Sequence, residues 1–289
     1  MHTILKINFY KFSLLVFAFL FFHIGIKAQS FKEKDSLQKL CLEIWNQETD
    51  SAKVEVSNRF SSYFYSFLSD KNLPANALDS IKGIVHVKSS DEQLQIFTWN
   101  LPLHDGSFLY KGFIRANGNI FAMDSKESSN RNIAENIIDI SKWYGALYYK
   151  LIESELRGKK IYTLLGWDGY NARQDRKIID IINIHDKKIT FGAPLFKTKE
   201  GLKNRVVIDY ADRGNMVMRY DRQFLKVEKG KNISKEKRNF IVMDRLHPII
   251  PEYENNRSFY VPSGDFYDAF MMLDGYWVFV EDIEVANPR

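Results

Sequence analysis

The sequence predicts an α+β chain that is mainly β: two N-terminal helices followed by about a dozen antiparallel strands in a sandwich- or barrel-like body. Three observations lead there. Residues 31–70 carry apolar side chains at spacings of three and four, the period of a helix with one buried face. From residue 82 the texture changes to short runs rich in β-branched and aromatic residues. Asn-Gly and Asp-Gly pairs stand between those runs, and such pairs favour the left-handed backbone of tight hairpin turns.

In the helical region, Leu37, Leu40, Cys41, Ile44 and Trp45 form a first stripe. Cys41 falls inside it and reads as a small buried hydrophobe, not a nucleophile. Thr49-Asp50-Ser51 supplies a break and a cap. Val56, Phe60, Tyr63, Phe64, Phe67 and Leu68 form the second stripe, which Asn72-Leu73-Pro74 ends. Strands are expected at Ile84–Val87, Leu94–Trp99, Phe108–Ile114 and Ile120–Met123. Asp124–Arg131 is polar and is the candidate internal boundary, and a short helix is expected over Ile133–Ser141. Trp143–Glu153 fits either period; its aromatic load and Gly145 favour a strand paired across Arg157-Gly158-Lys159 with Ile161–Trp167. Further strands are expected at Lys177–Ile184, Lys188–Phe191, Arg205–Tyr210, Asn215–Tyr220, Phe240–Asp244, Tyr267–Leu273 and Tyr276–Glu281. Asp274-Gly275 marks a hairpin between the last two. The expected division is a leader over 1–28, a helical segment over 29–81 and a β-rich body over 82–289.

The leader follows from three features. Met1–Lys11 holds Lys6 and Lys11 and no acid, Phe12–Phe22 is apolar but for Ser13, and His23–Ala28 ends on a small residue. That is the pattern of a signal peptide cut after about Ala28. The apolar run is about half the roughly 20 residues of a spanning helix, so no membrane span is expected after cleavage. The chain is expected to be exported, to the periplasm or the extracellular space.

Removing the leader changes the charge. The whole chain has 41 Lys+Arg against 36 Asp+Glu, a net of +5; without Lys6, Lys11 and Lys27 it carries 38 against 36. The densest basic stretch, Lys226–Arg238, is interrupted by two glutamates and reads as a solvated loop, so no nucleic-acid partner is expected. One cysteine excludes an internal disulfide, and cohesion must come from a core that 45% hydrophobic residues can supply.

No catalytic or metal motif is present. The four histidines beyond the leader, His86, His104, His185 and His247, show no ligand spacing, and no cofactor is expected. Two segments carry a mixed chemistry: Ile96–Gly112 and Tyr162–Asn171. Trp99, Trp167 and Tyr170, beside Asn100, Asp105, Asp168 and Asn171, combine stacking faces with hydrogen-bonding groups. Such a set suits a glycan, a peptide or the surface of an envelope protein. The same residues read first as core rings and turn formers, since Trp is highly buried on average.

The strings WNLPLHDGSFLYKGFI, WYGALYYKLI, YTLLGWDGYN, ITFGAPLF, VIDYADRGNMVMRYD, IVMDRLHPI and YDAFMMLDGYWVFVEDIEV resemble a family of uncharacterised exported proteins of Bacteroidetes-type bacteria. The resemblance spans about residues 94–285. It implies export and a β-rich body, and it brings no catalytic residue with it. Three roles follow as expectations. The first is non-catalytic binding of a ligand or protein through the Trp99 and Trp167 loops. The second is a carboxylate-dependent hydrolase of envelope or extracellular polymers using Asp168, Asp209 and Asp221. The third is assembly through the N-terminal helices.

Overall fold

The computed structural model of the protein describes residues 34–70, 78, 81–125, 133–229 and 232–285, without the side chains of 224–236. The expected leader lies outside these residues, as does all of the expected 124–131 boundary but Asp124 and Ser125. The chain divides into two compact units between Ile84 and Val85.

The first unit holds two helices, α1 (34–45) and α2 (Asp50–Ser69). Their apolar stripes are buried at Leu37, Cys41, Ile44, Val56, Phe60, Phe64, Phe67 and Leu68. Trp45 and Tyr63, expected in the same stripes, are instead exposed. Thr49 caps α2, its hydroxyl accepting the Ala52 N–H at 3.2 Å. Burial pushes the Cys41 thiol up to about 12, the behaviour of a packed side chain. No helix among the described residues is long and apolar enough to cross a membrane.

The second unit is built from strands. First come β1 (Val85–Lys88), β2 (Leu94–Pro102), β3 (Phe108–Ala116) and β4 (Asn119–Asp124), then β5 (Ile138–Asp139), β6 (Leu147–Leu156), β7 (Lys159–Asn171), β8 (Gln174–His185) and β9 (Lys188–Phe191). The short β10 (Phe196–Thr198) and β11 (Gly201–Lys203) precede β12 (Val206–Ala211), and β13 (Met218–Lys229), β14 (Asn232–Pro248), β15 (Tyr260–Leu273) and β16 (Tyr276–Val280) follow. They form three sheets. The first is the meander β1-β2-β3-β4. The second has the order β5-β9-β8-β7-β6, with β12 paired to the first half of β8. The third has the order β11-β10-β16-β15-β14-β13. All pairs are antiparallel except β10 with β16, which run parallel.

The second sheet is the middle layer of a sandwich-like body, not a closed barrel. One core joins it to the first sheet through Ile96, Tyr110, Ile114, Leu164, Ile178 and Ile182. Another joins it to the third through Leu165, Ile179, Ile181, Met243, Phe270 and Trp277. Alternation along a strand sends neighbours to opposite faces, so a strand buried on both faces must be apolar throughout. Residues 177–184, KIIDIINI, read as such a run. Its one acid, Asp180, is fully buried and answered by Arg205 at 2.7 Å and the Tyr144 hydroxyl at 2.7 Å.

Three expectations are corrected. The helix expected over Ile133–Ser141 is a short strand and a 3-10 turn, because Ile138 pairs with Phe191 and Asp139 caps Ser141 at 3.0 Å. The loop expected over Lys226–Arg238 is the outer part of the β13–β14 hairpin, whose ladder runs out to Lys229 and Asn232. The β10–β11 hairpin, absent from the expected strands, is held by its parallel contact with β16. Of Trp143–Glu153, the part from Leu147 on is the expected strand, β6 pairing β7 across Arg157-Gly158, while Trp143 ends the preceding 3-10 turn.

Candidate functional site

The two segments singled out in the sequence meet at one end of the body. The Asp105-Gly106 turn joins β2 to β3, and Asp105 shapes it by accepting from the Ser107 N–H at 2.9 Å. The β7–β8 turn is shaped by Asn171, which accepts from the Arg173 N–H at 2.9 Å. Gly106 lies so close to Ala172 that a side-chain carbon there would stand 2.6 Å from it. Phe108 packs edge-on against Trp167 at 5.4 Å between ring centres, and the buried Tyr110 hydroxyl accepts the Gly169 N–H at 2.7 Å. A register shift between Asp168 and Asn171 bends β7 at this point.

Not all of the expected residues gather there. Trp99 is 1% exposed and packs on Phe113 at 5.8 Å. Alternation along β2 sets it on the face opposite Thr98, whose hydroxyl accepts the Tyr148 N–H from the middle sheet. Asn100 is buried as well. Asp105 is exposed in its turn. The gathered set is therefore Trp167, Asp168, Tyr170 and Asn171, with Asp105 nearby.

Those four are occupied by one another's neighbours. The Trp167 indole donates to Asp175 at 3.1 Å, and the Tyr210 hydroxyl donates to the same carboxylate oxygen at 3.4 Å. Tyr170 lies under the Arg176 guanidinium, 3.3 Å from the ring centre. Asp168 is 3% exposed, and its Oδ1 has no hydrogen-bond partner among the described residues. Burial pushes its carboxyl up to about 6, against the opposing pull of the Tyr110 hydroxyl and Arg176. Burial raises Asp175 too, with Trp167 and Tyr210 pulling down.

Register links this end to a second feature. Asp168 and Asp209 are both cross-strand partners of Arg176, on β7 and β12. The three share one face of the middle sheet, with the cation in the centre and Asp209 bound to it at 2.6 Å. Asp209 in turn lines a cleft of about 470 Å³. This cleft runs along β12 and is bounded on the far side by β14, β15 and the β10–β11 hairpin. Val206, Ile208, Met216, Met243, Phe270 and Phe279 give it apolar surface; Lys199, Lys203, Arg245, Arg257, Glu135 and Asp268 give it a charged rim. A register shift in β14 between Asp244 and Leu246 lies at its wall.

Sequence reasoning missed the cleft and missed Arg176, Asp175 and Tyr110. The short turn at 171–174 alone would set residue 169 opposite 176, and it is the register shift in β7 that brings Asp168 there. The cleft had no signal in the sequence, being assembled from strands far apart in the chain. Asp221, the third acid of the hydrolase expectation, stands apart on β13 in another sheet, engaged with the Arg222 N–H and the Gln223 amide. Among the described residues no three His, Cys, Asp or Glu side chains form a group that could hold a metal ion. Compared with known proteins, the chain matches no family model, no curated protein and no solved structure.

Proposed function

We propose that this chain is an exported, non-catalytic binding protein whose ligand sits in the cleft along β12. The observation that carries the proposal is the cleft itself, with an apolar floor and a charged rim. A volume of about 470 Å³ falls within the roughly 300–1,000 Å³ of small-ligand sites. Export rests on the leader pattern and on the resemblance to exported Bacteroidetes-type proteins. Three of the carboxylates around the cleft are held in ion pairs, which favours binding over hydrolysis. Asp209 is held by Arg176, Asp268 by Arg245 at 2.6 Å and Glu135 by Lys203 at 2.6 Å. Hydrolysis by a carboxylate pair is the second reading. It draws on the shared face of Asp168 and Asp209, but the guanidinium between them stands where a reacting group would have to enter.

The test is a thermal-shift screen of the purified protein against short peptides, oligosaccharides and cell-wall fragments. A ligand at a hundred times its dissociation constant adds about 2.7 kcal/mol. Ile208→Arg, placed on a half-buried position of the cleft wall, should remove the shift while the variant still melts cooperatively. A shift that survives Ile208→Arg but is lost in Trp167→Ala/Tyr170→Ala would move the ligand to the hairpin end.

A further inference from the structure

We infer that the cleft receives an extended peptide, added as a strand to the outer edge of β12, with a peptide carboxylate received by Arg257. This rests on the binding role proposed above and names the ligand class.

The first ground is the edge. β12 pairs with β8 from Val206 to Ala211 along one side, and among the described residues no strand pairs with the other. Alternate residues of such an edge present N–H and C=O groups at strand spacing, a template for another chain. Folded proteins usually blunt an edge with lysine, proline or a bulge. The β12 sequence VVIDYA has none of these, and its pairing with β8 is free of register shifts. Its one charge, Asp209, is already bound to Arg176.

The second ground is what lies beside the edge. Val206–Asp209 border the cleft, with Met243, Phe270 and Phe279 as its apolar lining. A strand laid there would turn alternate side chains onto that lining, the arrangement by which strand addition gains specificity. The four bordering residues of β12 span about 13 Å. Near the Tyr210 end, Gly214 stands against both Tyr210 and the beginning of β15 at Tyr260 and Pro262. The 3-10 turn Arg257–Phe259 precedes that segment.

The third ground is charge. Lys199 is paired with Glu281, Lys203 with Glu135, Arg205 with Asp180 and Arg245 with Asp268. Arg257 is exposed, stacks on the Tyr260 ring at 4.1 Å and has no carboxylate partner among the described residues. Arg257 is thus the basic lining residue without an ion pair among the described residues, and the complement of its guanidinium on a peptide is a carboxylate. That group can come from a chain terminus or from an Asp or Glu side chain.

Fluorescence anisotropy with the full chain separates the cases. The probes are labelled eight-residue peptides of alternating Val and Ser: one with a free C-terminus, one amidated, one amidated with an internal Glu, and one methylated on every second backbone nitrogen. The peptides with a carboxylate should bind at least tenfold more tightly than the neutral amide, and whichever of the two binds more tightly identifies the source. Backbone methylation should abolish binding. Arg257→Ala should weaken carboxylate-bearing probes about tenfold, leave the neutral amide unchanged and leave the melting temperature unaltered. Equal binding of the methylated probe overturns strand addition, and indifference to Arg257→Ala overturns the carboxylate assignment. Failure of every peptide, alongside a thermal shift with an oligosaccharide, removes the peptide inference and spares the binding role. Failure of both classes removes the binding role as well.

Discussion

Asp168 shows what a single side chain can report about this protein. Its carboxyl is buried on the middle sheet beside Arg176 and Tyr110, and burial raises its pKa from an ordinary 3.8 to about 6. Between those values the folded protein holds a proton that the unfolded chain has released. Its contribution to stability is therefore complete below about pH 4 and is lost as pH rises through about 6. The size of the change is of the order of 2–3 kcal/mol. Urea denaturation at pH 4.5 and pH 7 should show this fall in the wild type, and Asp168→Asn should flatten it. A slope that persists unchanged in the variant would assign the proton to Asp175, the other carboxyl raised by burial at this end. The residue type and its turn position were readable from the sequence. Its burial was not, because Asp-Gly normally marks an exposed turn and here β7 continues past it under cover of the β2–β3 hairpin.

Among the elements, hairpins did most to make the fold legible. Asn117-Gly118, Arg157-Gly158 and Asp274-Gly275 all turn with positive φ at both positions, the geometry that matches the twist of the strands they join. Asn-Gly and Asp-Gly announce that geometry, and the flanking alternation of apolar residues sets the register. Gly275 is also a packing requirement: its φ is +80°, and an added Cβ would stand 2.0 Å from a methyl of Leu156. Gly275→Ala should cost about 1–3 kcal/mol, from a strained backbone and an overfilled contact together. Chemical denaturation would read it, and Gly118→Ala, with open space around its Cβ position, is the control for the backbone contribution alone. Elements that rest on distant partners were the ones the sequence hid. Ile138–Asp139 is a strand because β9 lies opposite it, and the Phe196–Thr198 hairpin joins a sheet because β16 runs beside it.

For the whole molecule, the consequence of three stacked sheets is a middle layer without a solvent face. Leu164 and Leu165 are adjacent on β7, both fully buried, and they serve opposite cores. Leu164→Ala and Leu165→Ala should each cost about 2–5 kcal/mol, measured by urea unfolding. A two-layer body would show one large loss and one near zero. The sequence by itself determined the helical start, the β-rich body, most of the hairpins and the apolar runs of the middle sheet, because periodicity and turn chemistry act over a few residues. It also singled out the two segments that meet at one end. Which face each side chain takes was decided only by tertiary structure: Trp99 turned away from Trp167, Arg176 came between Asp168 and Asp209, and an unpaired edge was left along a cleft. Those outcomes depend on strand order and layer stacking, which join residues far apart in the chain and leave no local pattern behind.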